Sequence, residues 1–190
     1  MREYTFDSAH ILRSALRDTY LARVYTTRTV STGSFQRSTT TLEHATNGSA
    51  AVIDWTGKSF QVGADTAYVE TLKRKANAFS GYVPLASRAL SASAVAGTLS
   101  DAHRLDRTRY WRWGNGDEYR VKYSDNMWTV SSQSGTLLAS LSSATAHIVR
   151  QDLNSLPVLR ISPAVADETQ RQFIILIMLY SETKRIERTH

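Results

Sequence analysis

Eight consecutive apolar and aromatic residues, Phe173-Ile174-Ile175-Leu176-Ile177-Met178-Leu179-Tyr180, restrict the folds open to this 190-residue chain more than any other segment. As a helix the run rises about 12 Å, far less than the roughly 30 Å hydrocarbon core of a bilayer, so it does not span a membrane. As a strand it would be buried on both faces, inside a sandwich. Its flanks favour the helix. Asp167, with Gln170 three residues later, forms a capping signal. The continuation Ser181–Arg188 is helix-favouring and ends in basic residues, which suit the negative end of the helix dipole. A helix that is apolar on every side must be surrounded on every side. A barrel wrapped around a helix at about 167–187 meets that demand.

The rest of the chain supplies strands for such a barrel. Short runs rich in β-branched and aromatic residues lie at Tyr4–Phe6, Tyr20–Val30, Ser34–Leu42, Ala50–Trp55 and Lys58–Val62. They resume at Thr108–Trp113, Glu118–Tyr123, Trp128–Ser131, Leu137–Leu141, His147–Arg150 and Val158–Ile161. Thr32-Gly33, Asn47-Gly48 and Ser134-Gly135 mark turns, and Gly114-Asn115-Gly116-Asp117 is the strongest hairpin signal, its Asn-Gly pair accepting positive φ cheaply. No helix-length amphipathic segment separates the early strands, so the pattern is a meander of hairpins and not a βαβ alternation. In Tyr20–Val30 the alternation is soft, and either face could be the buried one. The fold class expected is mainly β: one antiparallel barrel of about 10–12 strands enclosing the C-terminal helix.

One segment stands apart. Residues 73–106 begin with Lys73-Arg74-Lys75 and continue into a serine- and alanine-rich stretch with few large apolar side chains. With little to pack, it reads as a mobile insertion within a single domain.

The chain carries 23 Lys and Arg against 17 Asp and Glu, a net charge of +6. Most of the cations are spread singly, as on solvated strand faces, which argues against nucleic acid as the partner. The compact run Lys73-Arg74-Lys75 could meet phosphates. A second basic group is interleaved with aromatics around Arg109–Arg112 and Tyr119–Tyr123, and arginine beside exposed rings suits single-stranded nucleic acid or sugars. Period two assigns it differently: in a strand, Trp111 and Trp113 share one face, and Tyr110 and Arg112 the other. The tryptophan face is then core and the arginine face solvent.

The absence of cysteine removes disulfides, thiolate metal sites and cysteine nucleophiles, and fits a reducing, intracellular setting. Met-Arg-Glu-Tyr-Thr-Phe at the start lacks the apolar core of a secretory signal. The five histidines, His10, His44, His103, His147 and His190, show no metal-ligand spacing. Phosphate-binding glycine loops and a Gly-x-Ser-x-Gly elbow are absent. Asp117 and Glu118 are adjacent acids beside aromatics, but neighbouring strand residues face opposite ways and cannot flank one glycosidic bond.

The aromatic hairpin Tyr110-Trp111-Arg112-Trp113-Gly114-Asn115-Gly116-Asp117-Glu118-Tyr119-Arg120, followed by the final apolar helix, resembles the tubby C-terminal-like superfamily. That superfamily includes tubby proteins, plant LURP-one-related proteins and phospholipid scramblases, and the likeness is to its fungal, mushroom members in particular. It spans most of residues 3–187. It implies a roughly twelve-stranded barrel around a hydrophobic helix. Tubby proteins bind phosphoinositides, whereas the acylated cysteines and acidic calcium segment of scramblases have no counterpart here.

The expected function is a non-enzymatic, cytoplasmic binding or adaptor domain without cofactor or metal, peripheral at a membrane. Its partner is an anionic phospholipid head group or a protein, contacted through Lys73, Arg74, Lys75, Arg112 and Arg120. The alternative is a carbohydrate-binding, lectin-like protein using exposed tryptophans.

Overall fold

A computed structural model describes residues 1–32, 36–75, 108–143 and 155–188. The first half of the chain forms β1 (Arg2–Phe6), β2 (Ala15–Arg17), β3 (Arg23–Thr32), β4 (Gln36–His44), β5 (Ala50–Asp54), β6 (Ser59–Val62) and β7 (Asp65–Tyr68). A single helical turn, α1 (Val69–Leu72), leads to β8 (Lys73–Lys75). The second half forms β9 (Arg109–Arg112), β10 (Glu118–Ser124), β11 (Met127–Ser131), β12 (Leu137–Ser142), β13 (Val158–Ile161) and the helix α2 (Glu168–Ile186).

All thirteen strands belong to one antiparallel sheet, in the order β7-β6-β5-β4-β3-β2-β1-β13-β12-β11-β10-β9-β8. Each strand pairs with its neighbour in sequence, except that β1 pairs with β13 and the two edges, β7 and β8, do not pair with each other. The expected mainly β, antiparallel fold with a C-terminal helix is present, with thirteen strands where about 10–12 were expected, and among the described residues no hydrogen bonds join the two sheet edges. The two edges are nonetheless consecutive in the chain, separated only by the four residues of α1, whose Val69 and Leu72 are buried. Phe60 of β6 stacks on Trp111 of β9 with ring centroids 5.7 Å apart, joining the strands that lie second from either edge.

The extra strands are short. β7 and β8 lack an apolar alternation, and the pairing of β8 with β9 through Lys73↔Trp111, Arg74↔Tyr110 and Lys75↔Arg109 makes the basic run a strand where an insertion was expected to begin. Residues 76–107, which hold the rest of that insertion, and the expected strand His147–Arg150 lie outside the described residues.

The helix matches its sequence signals closely. Asp167 is its N-cap, accepting a 2.7 Å hydrogen bond from the Gln170 amide. Phe173 through Leu179 are all at most 1% exposed, so no face of that segment meets solvent. α2 packs on β5 and β6 in one half of the sheet and on β11 in the other. It is too short and too mixed to cross a membrane; no helix among the described residues is long and apolar enough to do so.

The buried face of β3, open in the sequence, is the one carrying Tyr25 and Thr27. Thr27 is tolerated inside because its hydroxyl has the Ile11 carbonyl oxygen at 2.8 Å and the Ser14 carbonyl oxygen at 2.9 Å as acceptors for its one hydrogen, and its Oγ1 accepts from the Ser14 amide at 2.9 Å. The strand begins at Arg23 and not at Tyr20, since Leu21 turns through φ 63°. The β9–β10 hairpin forms, but its positive φ falls on Gly114 (51°) and not on Asn115-Gly116, and the Gly116 amide closes the turn onto the Trp113 carbonyl at 2.9 Å.

Candidate functional site

Strand parity distributes the basic residues over two faces. Arg74 of β8, Tyr110 of β9 and Arg120 of β10 are directly opposed in register, and Arg112 lies opposite Glu118 two residues along. This is the outer face, as expected from the tryptophan–arginine alternation: Trp111 is buried and Arg112 exposed. Arg74 grips Glu118 with both ends of its guanidinium, at 2.8 and 2.6 Å, and Arg112 approaches the same carboxylate at 3.8 Å. The hydrogen bonds and charge of Glu118 raise the Arg74 pKa further. Arg74 is held by Glu118, while two arginines on one acid leave this face net positive. Arg120 is exposed on the same face. Lys75 pairs with Arg109 through the backbone.

Lys73 lies on the other face. It is opposite Trp111 in register, and its Nζ sits 5.6 Å from the Trp111 ring and 5.7 Å from the Tyr180 ring, a cation–π arrangement that holds a lysine head in place. The five residues singled out in the sequence therefore do not form one site.

Lys73 belongs instead to a cavity of about 300 Å³ at the C-terminal end of α2, lined also by Arg109, Lys184, Arg185 and Arg188 together with Trp111, Trp128 and Tyr180. Among the described residues the lining holds five cations and no carboxylate. Arg109 has the parity of Trp111, two residues on, and so is an arginine on the core side of its strand, at the rim. The last turn of α2 contributes Lys184 and Arg185, and Arg188 follows just beyond its C-cap.

Carboxylates brace this rim from behind. Glu182 accepts from Arg185 at 2.7 and 2.8 Å and from the Trp128 indole at 2.9 Å. Burial works to raise the Glu182 carboxyl, but the hydrogen bonds from Arg185 and Trp128 and the Arg185 charge outweigh it and hold the group below its ordinary value. Glu187 accepts from Lys184 at 2.7 Å and pairs with Arg37; it too is held low, burial being outweighed by those two cations. Burial raises the Tyr180 hydroxyl, which stays neutral. Arg109 donates to the Thr108 carbonyl at 2.8 Å, and among the described residues neither Arg109 nor Arg188 has a carboxylate within ion-pair distance.

No family model, curated protein or solved structure matches the chain. The site must be read from its own chemistry. Among the described residues no cluster of His, Asp and Glu is placed to hold a metal ion. The cavity presents donors and positive charge, with its cations held on aromatic rings and by carboxylates.

The low pKa of Glu182 makes a prediction. A carboxyl held below its unfolded value contributes stability that is complete above the ordinary carboxylate range and is lost as the pH falls through the lowered value. Glu182→Gln should cost about 2 kcal/mol at neutral pH, because it leaves Arg185 largely buried without its counter-charge. The deficit should shrink as the pH falls through the lowered value of the Glu182 carboxyl, where the wild-type group also loses its charge. Thermal melts of both proteins across that range check this; a deficit independent of pH would assign the loss to packing.

Proposed function

We propose that the protein is a non-enzymatic binding domain built on a tubby-like barrel, recognising an anionic head group at the C-terminal mouth of α2. The observation that carries the reading is a cavity whose lining, among the described residues, holds five cations and no carboxylate. Basic residues near a helix C-terminus are favoured in any protein, each by about 0.3–1 kcal/mol. That accounts for Lys184, Arg185 and Arg188 but not for Lys73 and Arg109, which come from the sheet and face the same space.

The barrel reading is supported by the connection of both sheet edges through α1, the Phe60–Trp111 stack between the two ends of the sheet, and a helix buried on all sides. The resemblance to tubby-like proteins carries the expectation of an anionic lipid partner. Carbohydrate binding through exposed tryptophans finds less support: Trp111 and Trp128 are buried, and Trp55 and Trp113 are half-buried against the core.

Flotation with phosphatidylcholine vesicles containing phosphatidylinositol bisphosphate tests the proposal. Binding is expected at 50 mM salt, weaker at 300 mM because screening shortens the reach of the field, and absent with phosphatidylcholine alone. Failure to float at low salt would remove the lipid reading.

A further inference from the structure

A second cavity, of about 380 Å³, lies between the loop joining β1 to β2, the strands β3 and β4, and the end of α2. From the helix it is lined by Thr183 and Ile186, which helical periodicity turns to a different side from Lys184 and Arg185. It shares no lining residue with the mouth cavity.

Small side chains leave this space open. The inward positions of β3 run Tyr25, Thr27 and Thr29, and Ser31 follows at the cavity, so the aromatic filling of the core gives way to hydroxyl residues as the strand proceeds. Much of the remaining wall is apolar, with Ile11 and Leu12 from the loop and Ile186, which is 39% exposed, from the helix.

The polar groups are few. Arg37 is already paired with Glu187 and lies over the Trp55 ring. Arg13 donates to the Ser31 hydroxyl at 3.3 Å and, among the described residues, has no carboxylate within ion-pair distance. The described lining contains no carboxylate. Thr183 is 3% exposed, and its hydroxyl has no hydrogen-bond partner among the described residues, although buried hydroxyls are nearly always paired.

We infer that this cavity binds a small amphipathic monocarboxylate, a hydrocarbon body ending in one carboxyl group. The body covers Ile11, Leu12 and Ile186, and the carboxylate meets Arg13 at the polar side of the wall. A guanidinium gives a carboxylate charge-assisted, bidentate hydrogen bonds. Ser31, which accepts from Arg13, keeps its own hydrogen to donate to the same group. One guanidinium outside any ion pair matches one negative charge; a neutral alcohol leaves that charge unmet, and an amine is repelled by it. At about 380 Å³ the volume lies at the small end of ligand sites, which suits a short body. This site stands apart from the head-group reading of the mouth cavity and does not depend on it.

Titration calorimetry of the full chain with octanoate tests the inference. One equivalent should bind, at least tenfold more tightly than octanol, which carries the same chain without the charge, and octylamine should not bind. Arg13→Gln should remove the preference for octanoate while sparing octanol. Ile186→Ser should weaken both ligands several-fold with little change in melting temperature, since Ile186 ends the helix and is partly exposed. Arg109→Gln, in the mouth cavity, should change neither. No binding of octanoate, equal binding of octanoate and octanol, or a loss with Arg109→Gln as large as with Arg13→Gln would each overturn the site. Failure of the bisphosphate vesicles to float the protein removes the head-group reading and leaves this one standing, and failure of octanoate to bind does the reverse.

Discussion

Ile175→Asp should abolish folding. Ile175 sits in the middle of α2 at 1% exposure, with Phe173, Ile174, Leu176, Ile177, Met178 and Leu179 equally enclosed around it. The substitution removes a buried aliphatic side chain, worth about 2–5 kcal/mol on truncation, and adds a carboxylate with no cation in the surrounding apolar core. Such a charge costs several kcal/mol even when it is neutralised by protonation. Together these rival the whole stability of a domain of this size, about 5–15 kcal/mol. The expected result is loss of the cooperative melting transition. Ile175→Val, which deletes one methyl group, should melt cooperatively with a deficit of about 1 kcal/mol. An aspartate variant that melts cooperatively would mean that α2 has a solvent-facing side. Repeating the substitution at Ile174 and Leu176 extends the test around the helix, since consecutive positions point about 100° apart.

The helix was legible because every signal for it is local. Asp167 and Gln170 are three residues apart and meet across one turn, and an uninterrupted apolar run states its own burial. Strands were legible for a similar reason wherever glycine marked the turn: Gly48 and Gly135 both adopt positive φ between strands, as expected. Where the turn is made by other residues the sequence was mute. Leu21, Lys58, Asp125 and Asn126 all take positive φ, and only the last two belong to residue types inclined to it.

The candidate site was less legible, because its residues are far apart in sequence. Lys73, Arg109 and Arg188 come from three separate elements, and no spacing rule connects them. Parity held one available clue: Arg109 shares the face of Trp111, so burying the tryptophan turns this arginine inward. The basic end of α2 has an adequate local explanation in the helix dipole, so nothing in it points to the cavity. Lys73-Arg74-Lys75 resembles a solvated run because adjacent residues in a strand face opposite ways, and only the pairing with β9 separates Lys73 in the mouth from Arg74 on the outer face.

Trp111→Ala should be the most destabilising truncation in the sheet, at about 3–5 kcal/mol, and its coupling to Phe60 tests how the sheet ends meet. The two rings lie nearly parallel, with an interplanar angle of 3°, and Tyr180 stands edge-on to both at 5.5 and 5.8 Å. In the strand order, β6 and β9 are separated by nine other strands in one direction and by the β7–α1–β8 connection in the other. In a flat sheet these side chains would be too far apart to interact. A double-mutant cycle of Trp111→Ala and Phe60→Ala should therefore give a coupling of about 0.5–1.5 kcal/mol, the range of direct aromatic pairs. Tyr180→Leu should reduce that coupling, because it removes the ring that packs against both. Additive losses in denaturant melts would place the rings apart and the sheet ends with them. The same cycle bears on the mouth cavity, since Trp111 and Tyr180 carry the Lys73 head: loosening this aromatic cluster should weaken flotation with the bisphosphate vesicles even though neither ring bears charge. The aromatic cluster that joins β6, β9 and α2 thus also fixes the position of a cation at the cavity.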